Sequence, residues 1–126
     1  MNNPKKVVLL VDDSLLILER MIPILDETSN IEFVVHAGTY NEAVTLLEEL
    51  VPHLVLLDIN LPDRSGIDLL RLIGEKYKDI IVFIVTNQAT AQYRETCRKL
   101  GARHFFDKSR DFEAVSEAIS EEALSC

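Results

Sequence analysis

Three things are scarce in this chain, and each scarcity removes a class of function. Cysteine is one: only Cys97 and Cys126 occur in 126 residues. They lie far apart, which argues against a disulfide framework and suits two reduced thiols in a reducing cytoplasm. Positive charge is another, with 13 Lys and Arg against 21 Asp and Glu and a net charge of -8. A surface of that sign disfavours the nucleic-acid backbone, and no basic run or zinc-finger spacing reverses this. Long hydrophobic runs are also missing. The N-terminal residues lead into only five apolar positions, Val7 to Val11, too few for a signal peptide or a membrane span. The expectation is a cytoplasmic protein without membrane contact. No linker, repeat or low-complexity segment interrupts residues 1–126, so a single domain with no output domain is expected.

Against these absences stands a regular alternation. Five apolar runs, Val7–Val11, Ile31–Ala37, Leu54–Leu57, Ile80–Val85 and Ala102–Phe106, are separated by amphipathic segments. The first, third and fourth runs are continuously apolar, as in strands covered on both faces of a parallel sheet. The second alternates, with Ile31, Phe33, Val35 and Ala37 set against Glu32 and His36, which predicts an edge strand. Thr39 and Glu42 form a capping-box pattern ahead of Ala43, Leu46, Leu47 and Leu50. Leu69, Leu70, Ile73 and Tyr77 make a second helical stripe. Tyr93, Cys97 and Leu100 make a third, with Gly101 placed to end it. Asp111 is expected to cap a last helix carrying Phe112, Val115 and Ile119 inward. Pro23 inside the first helix predicts a kink or early break, since an interior proline costs about 3 kcal/mol. The pattern specifies an α/β fold: a doubly wound, five-stranded parallel sheet with five helices.

Sites in such sheets form outside the carboxyl ends of the strands. Asp12 and Asp13 follow the first run, Asp58 the third, Thr86 the fourth, and Lys108 the fifth, one residue beyond Asp107. Taken singly, each has a plain structural use. Asp12-Asp13-Ser14 could cap a helix, Asp58 could open the turn toward Pro62, Lys108 could be a solvated lysine, and Thr86 could cap the fourth helix. Taken together at one sheet edge, they form a chemical set. Three close carboxylates repel and raise one another's pKa unless a cation intervenes. Oxygen ligands of this kind suit Mg²⁺, which binds through a few carboxylates plus a phosphate. A lysine and a hydroxyl complete what phosphoryl transfer needs.

Val-Asp-Asp-Ser at 11–14, Leu-Asp-Ile-Asn-Leu-Pro at 57–62 with Gly66, Val-Thr at 85–86 and Phe-Phe-Asp-Lys at 105–108 resemble the receiver domain of bacterial two-component response regulators. The likeness spans nearly the whole chain and is to the stand-alone, chemotaxis-type receiver. It implies a flavodoxin-like sheet in the order 2-1-3-4-5. It implies a phosphoacceptor at Asp58 and a Mg²⁺ site made by Asp12, Asp13, Asp58 and the backbone carbonyl of Asn60. It implies a phosphoryl-binding Lys108, a switch hydroxyl on Thr86, and an aromatic, Phe105, whose orientation follows Thr86. The donor would be a sensor histidine kinase or a histidine phosphotransfer protein. Output would pass through the face of the fourth helix, fifth strand and fifth helix to another protein, so the chain would be a phosphoacceptor switch and not an enzyme.

Two positions depart from the family. Ser109 follows the lysine where most receivers have proline in a cis bond, which implies a trans, differently shaped loop. Asn87 stands where the family usually has a small residue, and narrows access to Asp58. Phe105 also lacks the phenolic hydroxyl of a tyrosine switch. Two other functions compete. An aspartyl phosphatase of the haloacid dehalogenase type wants Asp-x-Asp, whereas Asp12 and Asp13 are adjacent. A phosphorylation-independent scaffold would draw on Asn87 and Ser109. Other nucleotide folds lack support, since no Gly-x-Gly-x-x-Gly or Walker loop follows the first run. His36, His53 and His104 share no metal-ligand spacing.

Overall fold

Strands and helices alternate without exception in the computed structural model, which describes residues 6–124. The elements are β1 (Lys6–Val11), α1 (Leu15–Glu27), β2 (Ile31–Ala37), α2 (Tyr40–Leu50) and β3 (Leu54–Leu57), then α3 (Gly66–Lys76), β4 (Ile81–Thr86), α4 (Ala91–Lys99), β5 (His104–Asp107) and α5 (Phe112–Leu124). All neighbouring strands are parallel, in the order β2-β1-β3-β4-β5. That is the order the resemblance implies.

The continuous apolar runs are explained by burial on both faces. Leu9, Val11, Val55, Leu57, Val82 and Ile84 face a core shared with α2, α3 and α4. Val8, Leu10, Leu54, Leu56, Phe83 and Val85 point the other way, toward Ile17, Met21 and Leu25 of α1 and Val115 and Ile119 of α5. Successive side chains of a strand alternate between these two layers, so neither layer tolerates a polar residue at these positions. No helix among the described residues is long and apolar enough to cross a membrane.

Three expectations, and one plain structural use weighed for Thr86, meet the structure differently. The edge strand β2 does not alternate cleanly. Lys6 pairs with Ile31 and Val7 with Phe33, so Glu32 is an extra residue in a bulge. The bulge turns Ile31 and Val34 to the α1 side and leaves Phe33 exposed. Helix α1 also runs through Pro23 to Glu27 without the early break. Pro23 and Glu19 are both exposed, so water can solvate the carbonyl that lacks an N–H partner. Asp111 does not cap α5 with its side chain. Its carboxylate turns back to accept the N–H of Asp107 at 2.8 Å, and its carbonyl accepts from Val115. Finally, the fourth helix is capped by Thr90 and not Thr86. Gly101 ends that helix as expected, at φ 100°.

Cys97 is fully buried on α4, and burial pushes its thiol pKa up to about 11. At neutral pH only about one thiol in ten thousand is then the reactive thiolate. Native protein treated with iodoacetamide should yield an unmodified Cys97 peptide, and guanidinium should expose it to full modification. Rapid native labelling would contradict the packing role. Cys126 lies outside the described residues.

Candidate functional site

Parallel register brings four strand ends to one edge of the sheet. Asp12 continues β1, its N–H donating to the Ala37 carbonyl at 3.0 Å. Asp58 continues β3 and donates to the Val11 carbonyl at 3.0 Å. Lys108 follows β5 and donates to the Thr86 carbonyl at 2.9 Å. Each reactive residue therefore starts from a backbone position fixed by a ladder bond to a neighbouring strand.

The side chains converge. Lys108 Nζ donates to Asp12 Oδ2 at 2.8 Å and to Asp58 Oδ2 at 3.0 Å. Asp12 and Asp58 are 2% and 5% exposed and Lys108 9%, so this is a bridged ion triad largely screened from water. The other carboxylate oxygens are also held. Asp12 Oδ1 accepts the N–H of Ser14 at 2.8 Å, and Asp58 Oδ1 accepts that of Asn60 at 3.2 Å. Ser14 additionally caps α1 by accepting from Ile17, so the capping use and the site use coexist at one strand end.

Burial raises the Asp12 pKa, and the bonds from Lys108 and Ser14 only partly oppose that rise. For Lys108 burial acts to lower the pKa, but its hydrogen bonds to Asp12 and Asp58 outweigh burial and hold the pKa above the ordinary lysine value. The lysine is thus a permanent cation.

Asp13, exposed, supplies the third carboxylate. One oxygen from each of Asp12, Asp13 and Asp58 lies within 4.8 Å of the others. One lysine against three carboxylates leaves two negative charges uncompensated when all are ionised. Hard oxygen donors of that net charge, open on one side to solvent, fit a small divalent cation that keeps waters. A cavity of about 670 Å³ opens over the group, walled by Asp13, Asn60, Pro62, Asn87 and Ser109 together with Leu16 and Arg20 of α1. That is ample room for a phosphoryl group and part of its donor.

Thr86 and Phe105 stand one step back from the triad. Thr86 is fully buried at the end of β4, and its hydroxyl accepts the N–H of Gln88 at 3.2 Å. Asn87 lines the cavity beside it. Phe105 is half-buried, with the Arg94 guanidinium 4.8 Å above its ring and bonded to its carbonyl at 3.3 Å. The Lys108–Ser109 bond is trans, like every peptide bond among the described residues.

Several further contacts brace the site. His36 Nε2 lies 2.8 Å from the Asp12 carbonyl, while His53 bonds the N–H of Val7 and His104 packs on Phe83, so the three histidines are indeed separate. Asp63 accepts the N–H groups of Tyr40 and Asn41 at 2.8 and 3.1 Å, tying the loop after Asn60 to the start of α2. Gly66 packs directly on the backbone of Asp58 and Ile59, and its N–H donates to the Ile59 carbonyl at 2.7 Å. Asp-to-helix capping could have suggested Asp63, but nothing local says which helix it serves.

Comparison with known proteins agrees with this geometry. The family model for the response regulator receiver domain matches residues 8–120. The transcriptional regulatory protein DegU of Brevibacillus brevis is 29% identical over 118 residues, which are 94% of this chain and 50% of that protein. The chain thus spans about half the length of that relative, and a third of the protein-glutamate methylesterases it also matches. Among solved structures, a CheY-like response regulator receiver domain protein from Methanospirillum hungatei is 28% identical with a TM-score of 0.84, and covers 94% of each chain. The Mn²⁺-bound form of response regulator Rcp1 is 25% identical with a TM-score of 0.73, over 92% of this chain and 90% of that one. With the family model covering most of its length and the aspartate-lysine edge in place, this chain belongs to the response regulator receiver domain family.

Proposed function

We propose that Asp58 accepts a phosphoryl group from phosphohistidine of a sensor kinase or phosphotransfer protein, and that the modification switches a protein-binding face. The observation that carries this reading is the single lysine nitrogen bridging Asp12 and Asp58 beside a third carboxylate. The Asp58 carboxylate oxygen forms the new bond to phosphorus as the bond to the imidazole nitrogen breaks, and the imidazole departs with that electron pair. Lys108 is positioned to move from carboxylate to phosphoryl oxygen, offsetting charge that builds during transfer. Asp12, Asp13, Asp58 and the Asn60 carbonyl would hold Mg²⁺, which when bound supplies further charge neutralisation on the transferring group. Thr86 would follow the new phosphoryl group and Phe105 would follow Thr86, biasing an equilibrium between two arrangements of the α4–β5–α5 face. The chain would phosphorylate and dephosphorylate only itself, and multiple turnover on p-nitrophenyl phosphate is not expected.

Acetyl phosphate tests the reading without a partner. With Mg²⁺, intact-mass measurement should show one phosphoryl adduct, and a chelator should abolish it. Labelling that survives the chelator would sink the metal role. A thermal melt gives an independent readout of the ion. Because Mg²⁺ relieves repulsion present only in the folded chain, a free concentration ten times Kd should add about 1.4 kcal/mol. For a domain of this size that raises Tm by about 5 °C. No shift with Mg²⁺ would count against the site.

A further inference from the structure

Lys108 is the one cation of the triad, yet its own stretch of chain has no proline to stiffen it. A hydrogen-bonded clasp closes around it instead. Asp107 Oδ1 accepts from Ser109 twice, from the N–H at 2.9 Å and from the hydroxyl at 2.7 Å. The Asp107 carbonyl accepts from Arg110 at 3.2 Å and Asp111 at 2.9 Å. Asp111 Oδ2 returns the bond to the Asp107 N–H at 2.8 Å. Residues on both sides of Lys108 are thereby locked together, while its own N–H is tied to β4 through the Thr86 carbonyl.

Charge gives the clasp a second consequence. Asp107 is the carboxylate next to Lys108 in sequence and an obvious competitor for its ammonium. Among the described residues Lys108 pairs with Asp12 and Asp58 and not with Asp107. Ser109 gives Asp107 Oδ1 two donors and so fixes the orientation of the neighbouring carboxylate within its own turn, where among the described residues it makes no ion pair with Lys108.

We propose that Asp107 and Ser109 are positioning residues for phosphoryl transfer, holding the Lys108 ammonium between Asp12 and Asp58. The inference rests on Asp58 being the phosphoacceptor. It separates two quantities that general damage to the site would change together. Loosening Lys108 weakens charge neutralisation of the transferring group and slows labelling. It also removes a competitor from Asp12 and Asp58, so divalent-cation binding is unchanged or tighter.

The test measures the acetyl phosphate labelling rate at saturating Mg²⁺ and, by titration calorimetry, the Mg²⁺ Kd. Asp107→Ala should slow labelling about tenfold, because misplacement of a charge-stabilising group is felt directly in the rate. Ser109→Ala, which loses one bond, should slow it about threefold, and Ser109→Thr should restore the wild-type rate. Kd for Mg²⁺ should not rise in any of them. Wild-type labelling rates in Asp107→Ala and Ser109→Ala, or a rate and Mg²⁺ affinity that fall together, would overturn the proposal. If Asp107→Ala does not fold, the Ser109→Ala and Ser109→Thr pair decides alone. Wild-type protein that takes no label overturns the phosphoacceptor reading itself, a separate failure.

Discussion

Asp58→Asn, incubated with acetyl phosphate and Mg²⁺, should show no phosphoryl adduct under conditions that label the wild type completely. Asparagine has nearly the same shape, so the fold is expected to persist, with unchanged far-ultraviolet circular dichroism. What it lacks is the anionic oxygen that attacks phosphorus. Its amide oxygen is a weak nucleophile, and removing a nucleophile costs on the order of a thousandfold or more in rate. Asp12 cannot take over. It is the more deeply buried of the two and does not line the cavity over the site, which Asp58 does. Asp13 is exposed, but among the described residues its carboxylate has no Lys108 contact to offset charge during transfer. An adduct on Asp58→Asn at the wild-type rate would mean that the reactive group has been misassigned.

Gly66→Ala should be the most damaging conservative change near the site. A Cβ at position 66 would overlap the Asp58 carbonyl oxygen and come within 2.9 Å of Ile59 Cα. Both obstacles are backbone, so no rotamer change relieves them. Overpacking typically costs about 1–3 kcal/mol, and an overlap with backbone belongs at the upper end, about 3 kcal/mol. In a domain of this size that lowers Tm by about 10 °C. The peptide pushed aside carries Asp58, so labelling should also slow well below the melting range. Gly74→Ala is the internal contrast. Gly74 lies within α3, where the nearest obstacle to a Cβ is the Leu100 carbonyl at 3.4 Å. Alanine is the better helix former there by about 0.5–1 kcal/mol, so that variant should be neutral or slightly more stable. Equal effects from the two substitutions would show that the close approach at Gly66 is not what that glycine provides.

Gly66 illustrates how the sequence was informative. It could be noted as part of a motif, but its reason is a contact between α3 and the end of β3 that no local pattern carries. Strand ends were legible because β1, β3 and β4 are buried on both faces, so the first polar residue after each run marks the sheet edge. That placed Asp12, Asp58 and Thr86 in one step. β2 was read less well because an edge strand is paired on one side only, and it can bulge at Glu32 without breaking a second ladder. Pro23 was over-weighted because its cost depends on whether the freed carbonyl meets water, which is a matter of tertiary exposure. Asp111 looked like a helix cap by position, yet the N–H that it serves belongs to Asp107. The Asp-x-Ser spacing at 107–109 is itself a turn signal of the side-chain-to-backbone kind, and could have been found. The link from Asp63 to Tyr40 and Asn41 could not, since its two ends are 23 residues apart.

In the function proposed, one carboxylate of the three carries the phosphoryl group. Borohydride distinguishes them, because hydride reduces an acyl phosphate to the alcohol and releases phosphate, converting aspartate to homoserine only where it was phosphorylated. Wild-type protein labelled with acetyl phosphate and Mg²⁺, reduced and digested, should give homoserine at position 58 with Asp12 and Asp13 intact. Homoserine at position 12 or 13, or a phosphoryl group recovered on a histidine with Asp58 unchanged, would contradict the account.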